Sequence, residues 1–299
     1  MVDILIIGAG PAGLTAAIYA RRAGKSVLVL DRESFGGQIN YSPKIENYPG
    51  FTEISGAELA DAFVAQALAQ GADIDIEEAT GITKTENGFI VATDSGAHEC
   101  RAVILATGAK HRHLNVPGEE ELIGNGISFC ATCDGAFYAG GHVIVVGGGN
   151  SAAAEALQLS ETCEAVTILQ DMPELTCEKN LAEKIYATDN IEVLTNVKIL
   201  SFFADGERRG ATIHDGVSDE ERNITADGIF IAIGLAPDND AFANMIELER
   251  GYIKANDSCT TSEKGIFTAG DCRTKAFRQI TTACADGTAA ALAACAYLA

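Results

Sequence analysis

The chain contains the same local pattern twice: a short apolar run, a glycine-rich turn, a helical stretch and a second apolar run. The two copies begin at Val2 and Val143, and their glycine turns are Gly8–Gly13 and Gly147–Ala152. A strand, a glycine turn and a helix in this order are typical of the start of a βαβ unit. A repeat of this unit predicts two copies of one nucleotide-binding architecture.

Later segments indicate how the two copies are arranged along the chain. A third glycine–acid pair, Gly270-Asp271, follows the strand-like run Gly265–Ala269 and precedes the alanine-rich helical stretch Thr281–Leu298. We therefore predict an α/β fold of two Rossmann-like nucleotide-binding domains of the three-layer ββα type, with the second inserted into the first. The predicted first domain comprises residues 1–114 and 245–299, and the inserted domain comprises residues 115–244.

Composition and charge exclude several classes of partner. The 299 residues are 47% hydrophobic and include 31 glycines, but their formal net charge is −21. Such a charge argues against nucleic acid and anionic membranes as partners. The N-terminal residues do not resemble a signal peptide, and no apolar run approaches the roughly 20 residues that cross a bilayer. We therefore expect a cytoplasmic protein.

The first glycine turn has the features of a complete dinucleotide-binding fingerprint. Gly8 suits the tight turn, Gly10 allows a pyrophosphate to approach the backbone, and Gly13 allows the helix to pack on the strand. Asp31 ends the next strand at the spacing of a ribose-binding acid. A plain glycine turn in a βαβ unit is the alternative, and it does not require this acid.

A second motif, Cys130-Ala131-Thr132-Cys133-Asp134, lies just upstream of the second glycine turn. In a cytoplasmic protein a Cys-x-x-Cys pair is typical of redox catalysis or of metal binding. Zinc would need further ligands, but Cys163 and Cys177 are not spaced as a second pair, so we predict no metal site. Asp134 could act as a general acid toward a leaving thiolate, or it could serve as a turn or helix cap.

Together, these motifs closely resemble the low-molecular-weight thioredoxin reductase family over nearly the whole chain. Besides the two glycine turns and the dithiol, the matching segments are Gly36-Gly37-Gln38, Glu46-Asn47-Tyr48-Pro49-Gly50, Ala106-Thr107-Gly108, Gly270-Asp271 and Arg278-Gln279. The resemblance implies a flavin disulfide oxidoreductase with FAD in the split domain. The implied cofactor-binding residues are Gly8, Gly10, Pro11, Ala12, Gly13, Asp31, Arg32, Gly37, Gln38, Asn47, Ala106, Thr107, Gly108, Gly270, Asp271, Arg278, Gln279 and Ile280.

The resemblance also implies roles for the dithiol. Cys133 would face the flavin, and Cys130 would attack the disulfide of thioredoxin. The family is typically homodimeric, and it commonly rotates one domain on the other so that the dithiol alternates between flavin and partner. We therefore expect a homodimer that has thioredoxin as its partner.

The chain departs from the family at the second glycine turn. Most members bind the 2′-phosphate of NADPH with an arginine-rich segment, but residues 169–175 here contain no arginine and do contain Asp171 and Glu174. A dianionic phosphate favours bidentate guanidinium groups, so NADPH is not expected. NADH remains open, although Gln170 stands where an NADH enzyme usually has an acid.

A branch of this family lacks the arginine motif and uses reduced ferredoxin as its electron donor, and the chain is most similar to that branch. Other interpretations are an NADH-dependent reductase or, less favoured, an NADPH-dependent one, a dithiol oxidase, and a flavin-binding interaction protein with an idle dithiol. Ferredoxins are usually acidic, so docking would need a local basic patch. The candidates are Arg21, Arg22, Lys25 and Arg32, or Lys110, Arg112, Arg273, Lys275 and Arg278.

Overall fold

A computed structural model describes residues 1–206 and 208–299 and divides the chain into two units. The first unit comprises Met1–Lys110 and Ala236–Ala299, and the second comprises His111–Leu235. The second unit is thus inserted in the sequence of the first. The chain passes between them at residues 110–111 and 235–236, where the sequence placed the joints at residues 114–115 and 244–245.

The described residues form strands and helices that alternate along most of the chain. The strands are β1 (Val2–Ile7), β2 (Val27–Asp31), β3 (Asp73–Ile76), β4 (Ala79–Thr85), β5 (Gly88–Thr93), β6 (Ala97–Leu105), β7 (Ala109–His111), β8 (Ile127–Ser128), β9 (His142–Val146), β10 (Ala165–Leu169), β11 (Ile191–Leu194), β12 (Val197–Asp205), β13 (Arg208–Asp215), β14 (Glu220–Ala226), β15 (Gly228–Ile231), β16 (Leu235–Pro237), β17 (Leu248–Glu249), β18 (Tyr252–Ile253) and β19 (Ile266–Thr268). The α-helices are α1 (Pro11–Arg22), α2 (Gly56–Ala69), α3 (Glu119–Leu122), α4 (Ala131–Asp134), α5 (Asn150–Ser160), α6 (Lys179–Tyr186) and α7 (Ile280–Tyr297).

The main sheet of the first unit has parallel and antiparallel parts that share one long strand. Strands β3, β2, β1 and β6 lie side by side and run parallel. The first half of β6 pairs antiparallel with β5, whereas its second half pairs parallel with β19. The carboxyl ends of the parallel strands therefore meet at one edge of the sheet, where open α/β sheets bind their ligands.

The second unit separates the same two parts into two sheets. Its parallel sheet has the order β11-β10-β9-β15-β8, and its antiparallel sheet has the order β12-β13-β14. The outer strand β8 precedes the glycine turn in the chain, whereas the corresponding β19 of the first unit comes long after its own glycine turn. The α/β prediction with two Rossmann-like units is therefore confirmed.

Local sequence accounts for the two helices that pack nearest the first glycine turn. Helix α1 begins with Pro11, whose fixed φ suits the first helical position. Helix α2 begins with a capping box, in which the Ser55 side chain and the Glu58 side chain satisfy each other's backbone N–H groups. Both helices pack with α7 in a core of buried apolar residues on one face of the sheet, which includes Leu14, Leu59 and Ala290.

No helix of the described residues is both long enough and apolar enough to cross a membrane.

Candidate functional site

A cavity in the first unit lies where the carboxyl ends of β1, β2 and β6 meet the N-terminus of α1. Most of the predicted cofactor-binding residues line it. They are Gly8, Gly10, Pro11, Ala12, Asp31, Arg32, Gly37, Gln38, Ala106, Thr107, Gly108, Gly270, Asp271, Gln279 and Ile280. Three predicted residues, Gly13, Asn47 and Arg278, are not among its lining residues.

The first glycine turn brings the backbone close to the floor of this cavity. Gly8 has a φ of +109°, and a Cβ there would lie 2.2 Å from the carbonyl oxygen of Ala106. A Cβ on Gly13 would lie 1.8 Å from the carbonyl oxygen of Gly8, so Gly13 serves helix–strand packing beneath the cavity. No acidic residue lies in the first turn of α1. The free N–H groups of α1 therefore form a site for an anion such as a pyrophosphate.

Asp31 is fixed at the end of β2 by backbone hydrogen bonds. Its carboxylate accepts from the N–H of Ala9 at 2.7 Å and from the N–H of Glu33 at 3.1 Å. The neighbouring Arg32 forms an ion pair with Asp238. Asp31 thus lies directly beside the glycine turn, where a ribose attached to the pyrophosphate would lie.

Asp271 contributes a buried carboxylate to the cavity lining. Its Oδ1 is inaccessible to solvent and has no hydrogen-bond partner among the described residues. Burial raises the pKa of this carboxyl, although Lys275 and Arg278 act in the opposite direction. A buried acceptor without a donor is costly, so this position suits a ligand with a hydroxyl group.

Two of the predicted residues outside the lining contact residues inside it. Asn47 donates a hydrogen bond to the Gln279 side chain at 3.3 Å. Arg278 donates to the Asp271 carbonyl at 3.3 Å, and its guanidinium lies over the ring of Tyr252, 4.4 Å from the ring centroid. Asn47 and Arg278 are therefore held against the cavity lining, and their direct contact with a cofactor stays a prediction.

The dithiol lies in the second unit, in a short helical turn. Cys130 and Cys133 form a disulfide, with their Cα atoms 5.3 Å apart. Cys130 is the N-cap of α4, and its Sγ accepts a hydrogen bond from the N–H of Cys133 at 3.2 Å. Cys133 is exposed to solvent and Cys130 is partly exposed. A hydrogen bond from a backbone N–H favours the thiolate form at Cys130.

Asp134 follows the dithiol and is poised to hold a proton. Burial raises the pKa of its carboxyl, against the smaller effect of the Ser128 hydroxyl, which donates to Oδ2 at 2.6 Å. The Asp134 side chain caps neither α4 nor the turn that follows it. The arrangement therefore favours the acid interpretation of Asp134 over the helix-cap alternative.

The second glycine turn keeps the backbone geometry of the first but has different surroundings. Gly147 has a φ of +121°, and Gly149 is the N-cap of α5. The buried side chain of Gln170 lies directly on the turn, since a Cβ on Gly148 would be 2.5 Å from its Cδ.

The segment after β10 then passes across the start of α5. The N–H of Thr176 donates to the carbonyl oxygen of Gly148 at 2.8 Å, and the N–H of Glu178 donates to the Asn150 side chain at 2.8 Å. In return, the Asn150 amide donates to the Glu178 carboxylate at 3.3 Å.

The first turn has the equivalent of the Thr176 contact, since the N–H of Gly36 donates to the carbonyl oxygen of Ala9 at 2.8 Å. The second turn is therefore distinguished by the Glu178 carboxylate at Asn150, not by the presence of a loop.

Comparison with known proteins identifies the family. Residues 2–287 match the family described as pyridine nucleotide-disulphide oxidoreductase. The chain belongs to that family. It is 41% identical to the thioredoxin reductase of Treponema pallidum, over 99% of this chain and 97% of the relative. It is 40% identical to a 34.2 kDa protein in the rubredoxin operon of Clostridium pasteurianum, over 99% of this chain and 97% of the relative. The crystal structure of thioredoxin reductase from Streptococcus pyogenes matches with a TM-score of 0.94 at 36% identity, covering 100% of this chain and 98% of that one.

The chain is accordingly a flavin disulfide oxidoreductase, and the first-unit cavity fits the flavin cofactor of this family. The N-terminus of α1 offers N–H groups to a pyrophosphate, Asp31 lies beside it, and the unpartnered Asp271 oxygen is an acceptor for a hydroxyl of the cofactor. Each of these features matches a chemical group of FAD. Among the described residues, no group of three or more His, Cys, Asp or Glu side chains could hold a metal ion.

Several residues that build this oxidoreductase site were missed by sequence reasoning. Asp286 accepts hydrogen bonds from the N–H of Gly270 at 3.1 Å, from Arg273 at 3.0 Å and from Lys275 at 2.8 Å. Asn239 accepts from the Thr107 hydroxyl at 2.7 Å. These contacts join residues far apart in sequence. The only local signal was the position of Asp286 on the helix that follows the glycine–acid pair.

Four of the nine cations proposed for the basic patches form ion pairs within the first unit. Arg273 and Lys275 bind the buried Asp286, Arg32 binds Asp238, and Lys110 binds Glu33 at 2.6 Å. Paired cations contribute little net positive field. Both sequence-based patches are therefore weaker than their residue counts suggested.

Proposed function

We propose that this enzyme reduces the disulfide of thioredoxin, and that it takes its electrons from reduced ferredoxin through FAD and the Cys130–Cys133 pair. Its relatives in Treponema pallidum and Bacillus subtilis are named thioredoxin reductases, and they support the choice of substrate. The proposal includes a cytoplasmic homodimer, which light scattering on the purified protein would test.

The observation that carries the choice of donor is the set of side chains around the second glycine turn. Gln170 rests on Gly148, and the Glu178 carboxylate lies against Asn150 at the start of α5. A pyrophosphate at this turn would meet the negative charge of Glu178. From Ala152 to Glu178 the chain offers no lysine or arginine to a 2′-phosphate. A donor that does not bind at this turn meets neither the carboxylate nor the lack of a cation.

Each catalytic residue then has a defined task. With FAD bound in the first-unit cavity, Cys133 would be the thiol that receives its electron pair, and Cys130, whose Sγ accepts from the Cys133 N–H, would attack the disulfide of thioredoxin. Asp134, held by Ser128, protonates the leaving thiolate. Bound FAD supplies the connection between a one-electron donor and a two-electron disulfide.

NADH is the second candidate donor, and one observation favours it. The turn at Gly147 and the N-cap at Gly149 keep the backbone geometry of a phosphate-binding turn, and no acidic residue lies in the first turn of α5. NADH also lacks the 2′-phosphate, for which residues 152–178 offer no lysine or arginine.

The deciding experiment is anaerobic stopped-flow spectroscopy of the holoenzyme with reduced ferredoxin, NADH and NADPH at equal electron equivalents. We expect flavin bleaching with ferredoxin and none within a catalytic time with either nicotinamide. Fast bleaching with NADH or NADPH would overturn the choice of donor while leaving the substrate untouched.

The variants C133S and C130S test the dithiol separately. Each should keep flavin bleaching by the true donor but lose thioredoxin reduction by at least about 1,000-fold, because these thiols form the covalent relay. The matched control is C177S, since Cys177 is a partly exposed lone cysteine, and it should retain wild-type turnover. Thioredoxin reduction by C133S at the wild-type rate would remove the dithiol from the mechanism.

A further inference from the structure

A second carboxyl group, Glu155 on α5, lies against the dithiol turn. Its Oε2 is inaccessible to solvent and has no hydrogen-bond partner among the described residues. Sequence reasoning assigned Glu155 no role, and the proposed function does not use it.

The contacts of α5 place Glu155 next to the dithiol. The Glu155 carboxyl interacts with the backbone of Ala131, the residue that follows Cys130. One turn further along α5, the Gln158 side chain accepts a hydrogen bond from the Thr132 hydroxyl at 3.0 Å. Both residues between the two cysteines therefore contact this face of α5.

Burial raises the pKa of Glu155 to about 7, against the smaller opposing effect of the Ala131 backbone. No charged side chain is among the causes of this shift. The titratable and charged groups on the elements packed against α5 are Asp134 on α4, Lys179, Glu183, Lys184 and Tyr186 on α6, and His142 on β9. A carboxyl group with the pKa of Glu155 can take up or release a proton near neutral pH.

We propose that Glu155 takes up a proton when the Cys130–Cys133 disulfide is reduced, and that it returns this proton when the disulfide forms again. The inference rests on the proposed role of Cys130 and Cys133 as the redox pair. The reason is competition between two anions. A Cys130 thiolate would form on the residue before Ala131, whose backbone contacts the Glu155 carboxyl, and neighbouring like charges disfavour each other.

The protons and electrons balance in both half-reactions. Two electrons and one proton convert the disulfide to a Cys130 thiolate and a Cys133 thiol, and a second proton neutralises Glu155. In the exchange with thioredoxin, the thiolate, the thiol and the Glu155 carboxylic acid become a disulfide and a carboxylate. The two protons pass to the two thiols of reduced thioredoxin, and Asp134, which protonates the leaving thiolate, regains its proton from this pair, so its own charge does not change over the exchange. Reduced ferredoxin delivers electrons without protons. The protein therefore takes both protons from solvent and holds them until thioredoxin is reduced.

The test counts the protons taken up per disulfide. The holoenzyme is equilibrated with dithiothreitol redox buffers between pH 6 and pH 9, and the dithiol fraction is read by alkylation and mass spectrometry. The slope of the midpoint potential against pH gives the number of protons per electron pair. We expect about two protons in the wild type between pH 7 and pH 8.5 and about one in E155Q.

Two further variants serve as controls. E155D keeps the carboxyl group and should restore the second proton, whereas E161Q changes an exposed glutamate at the end of α5 and should behave as wild type. An unchanged proton count in E155Q would overturn the inference. If E155Q does not fold, infrared difference spectra of the wild type decide, since a protonated-carboxyl band must grow on reduction. A pair that never exchanges with dithiothreitol would instead contradict the proposed redox role of the cysteines.

Discussion

The two glycine turns of this enzyme have the same backbone shape and different chemical surroundings. At the first turn, Asp31 accepts a hydrogen bond from Ala9, and the N-terminus of α1 opens into a cavity. At the second turn, Gln170 rests on Gly148, and the Glu178 carboxylate accepts a hydrogen bond from Asn150 at the start of α5. A glycine fingerprint therefore indicates that a helix packs closely on a strand. Whether it also binds a nucleotide depends on the end of the next strand and on the segment that follows.

The largest effect is expected from exchanging glycine and alanine at the third glycine position of the fingerprint, which is Gly13 in the first turn and Ala152 in the second. G13A would place a Cβ 1.8 Å from the Gly8 carbonyl oxygen, so we expect loss of FAD and about 3 kcal/mol or more of unfolding free energy. The second turn already has Ala152 there, and A152G should cost only about 1 kcal/mol without loss of FAD. FAD absorbance per chain and thermal unfolding measure both effects. Full FAD occupancy in G13A would contradict the proposed geometry.

The next largest effect is expected at Asp271, which has no counterpart at the second turn. Loss of a hydrogen bond to a charged group is worth about 1.5–3 kcal/mol, so D271A should weaken FAD binding about 10- to 100-fold. Titration of the apoprotein with FAD, followed by flavin fluorescence, measures this.

The same variant should have the opposite effect on the apoprotein. Because burial raises the pKa of Asp271, its ionised form is disfavoured in the folded state. Wild-type stability is therefore reduced as pH rises above the unfolded-state pKa. Apo D271A should gain melting temperature over wild type at pH 8 and gain less at pH 4, whereas E249A, at an exposed position, should show neither effect. Equal FAD affinity in D271A and wild type would remove Asp271 from the cofactor site.

A double-mutant cycle sharpens the comparison at the second turn. G148A would bring a Cβ to 2.5 Å from the Cδ of Gln170, which should cost about 1 kcal/mol of unfolding free energy. In the G148A/Q170A double variant the conflict is gone, so its loss should be smaller than the sum of the single losses. Additive losses would mean that Gln170 does not rest on the turn in solution.

The smallest expected effect belongs to Glu178. E178Q removes a carboxylate from the start of α5 but leaves Gln170 and the loop in place. We expect a change in unfolding free energy within about 0.5 kcal/mol and no gain of flavin bleaching by NADPH. If bleaching by NADPH appears in this variant, the charge of Glu178 alone closes the second turn.

Strands buried on both faces were predictable from sequence, and exposed ones were not. The apolar runs Val2–Ile7, broken only by Asp3, and Ala165–Leu169, broken only by Thr167, predict strands, and β1 and β10 have these bounds in the structure. Strands β4, β12 and β14 were missed, since their exposed faces carry polar and charged side chains. Residues 97–99 of β6 were also missed, because they become a strand only by pairing with β5.

The cofactor site shows a similar limit. Motif residues such as Gly8, Asp31 and Asp271 line the cavity as their positions in the sequence implied. The residues that hold them in place were not predictable, because they act across long sequence separations. Asn239 lies 132 residues from its partner Thr107. In the sequence, Gln170 was recognisable only as an unusual residue type at the ribose-binding position. Its contact with Gly148 depends on side-chain placement, which the sequence does not give.

The late position of β19 has a consequence for the order in which a nascent chain can mature. The second unit is contiguous and can fold while residues 236–299 are still being translated. The first unit cannot, since β6 waits for β19, and α1 waits for α7. Gly270 and Asp271, which line the flavin cavity, are also made after the whole of the second unit. During synthesis the dithiol unit can therefore be finished before any flavin can load, which leaves the cysteines exposed to cellular oxidants ahead of their own source of electrons.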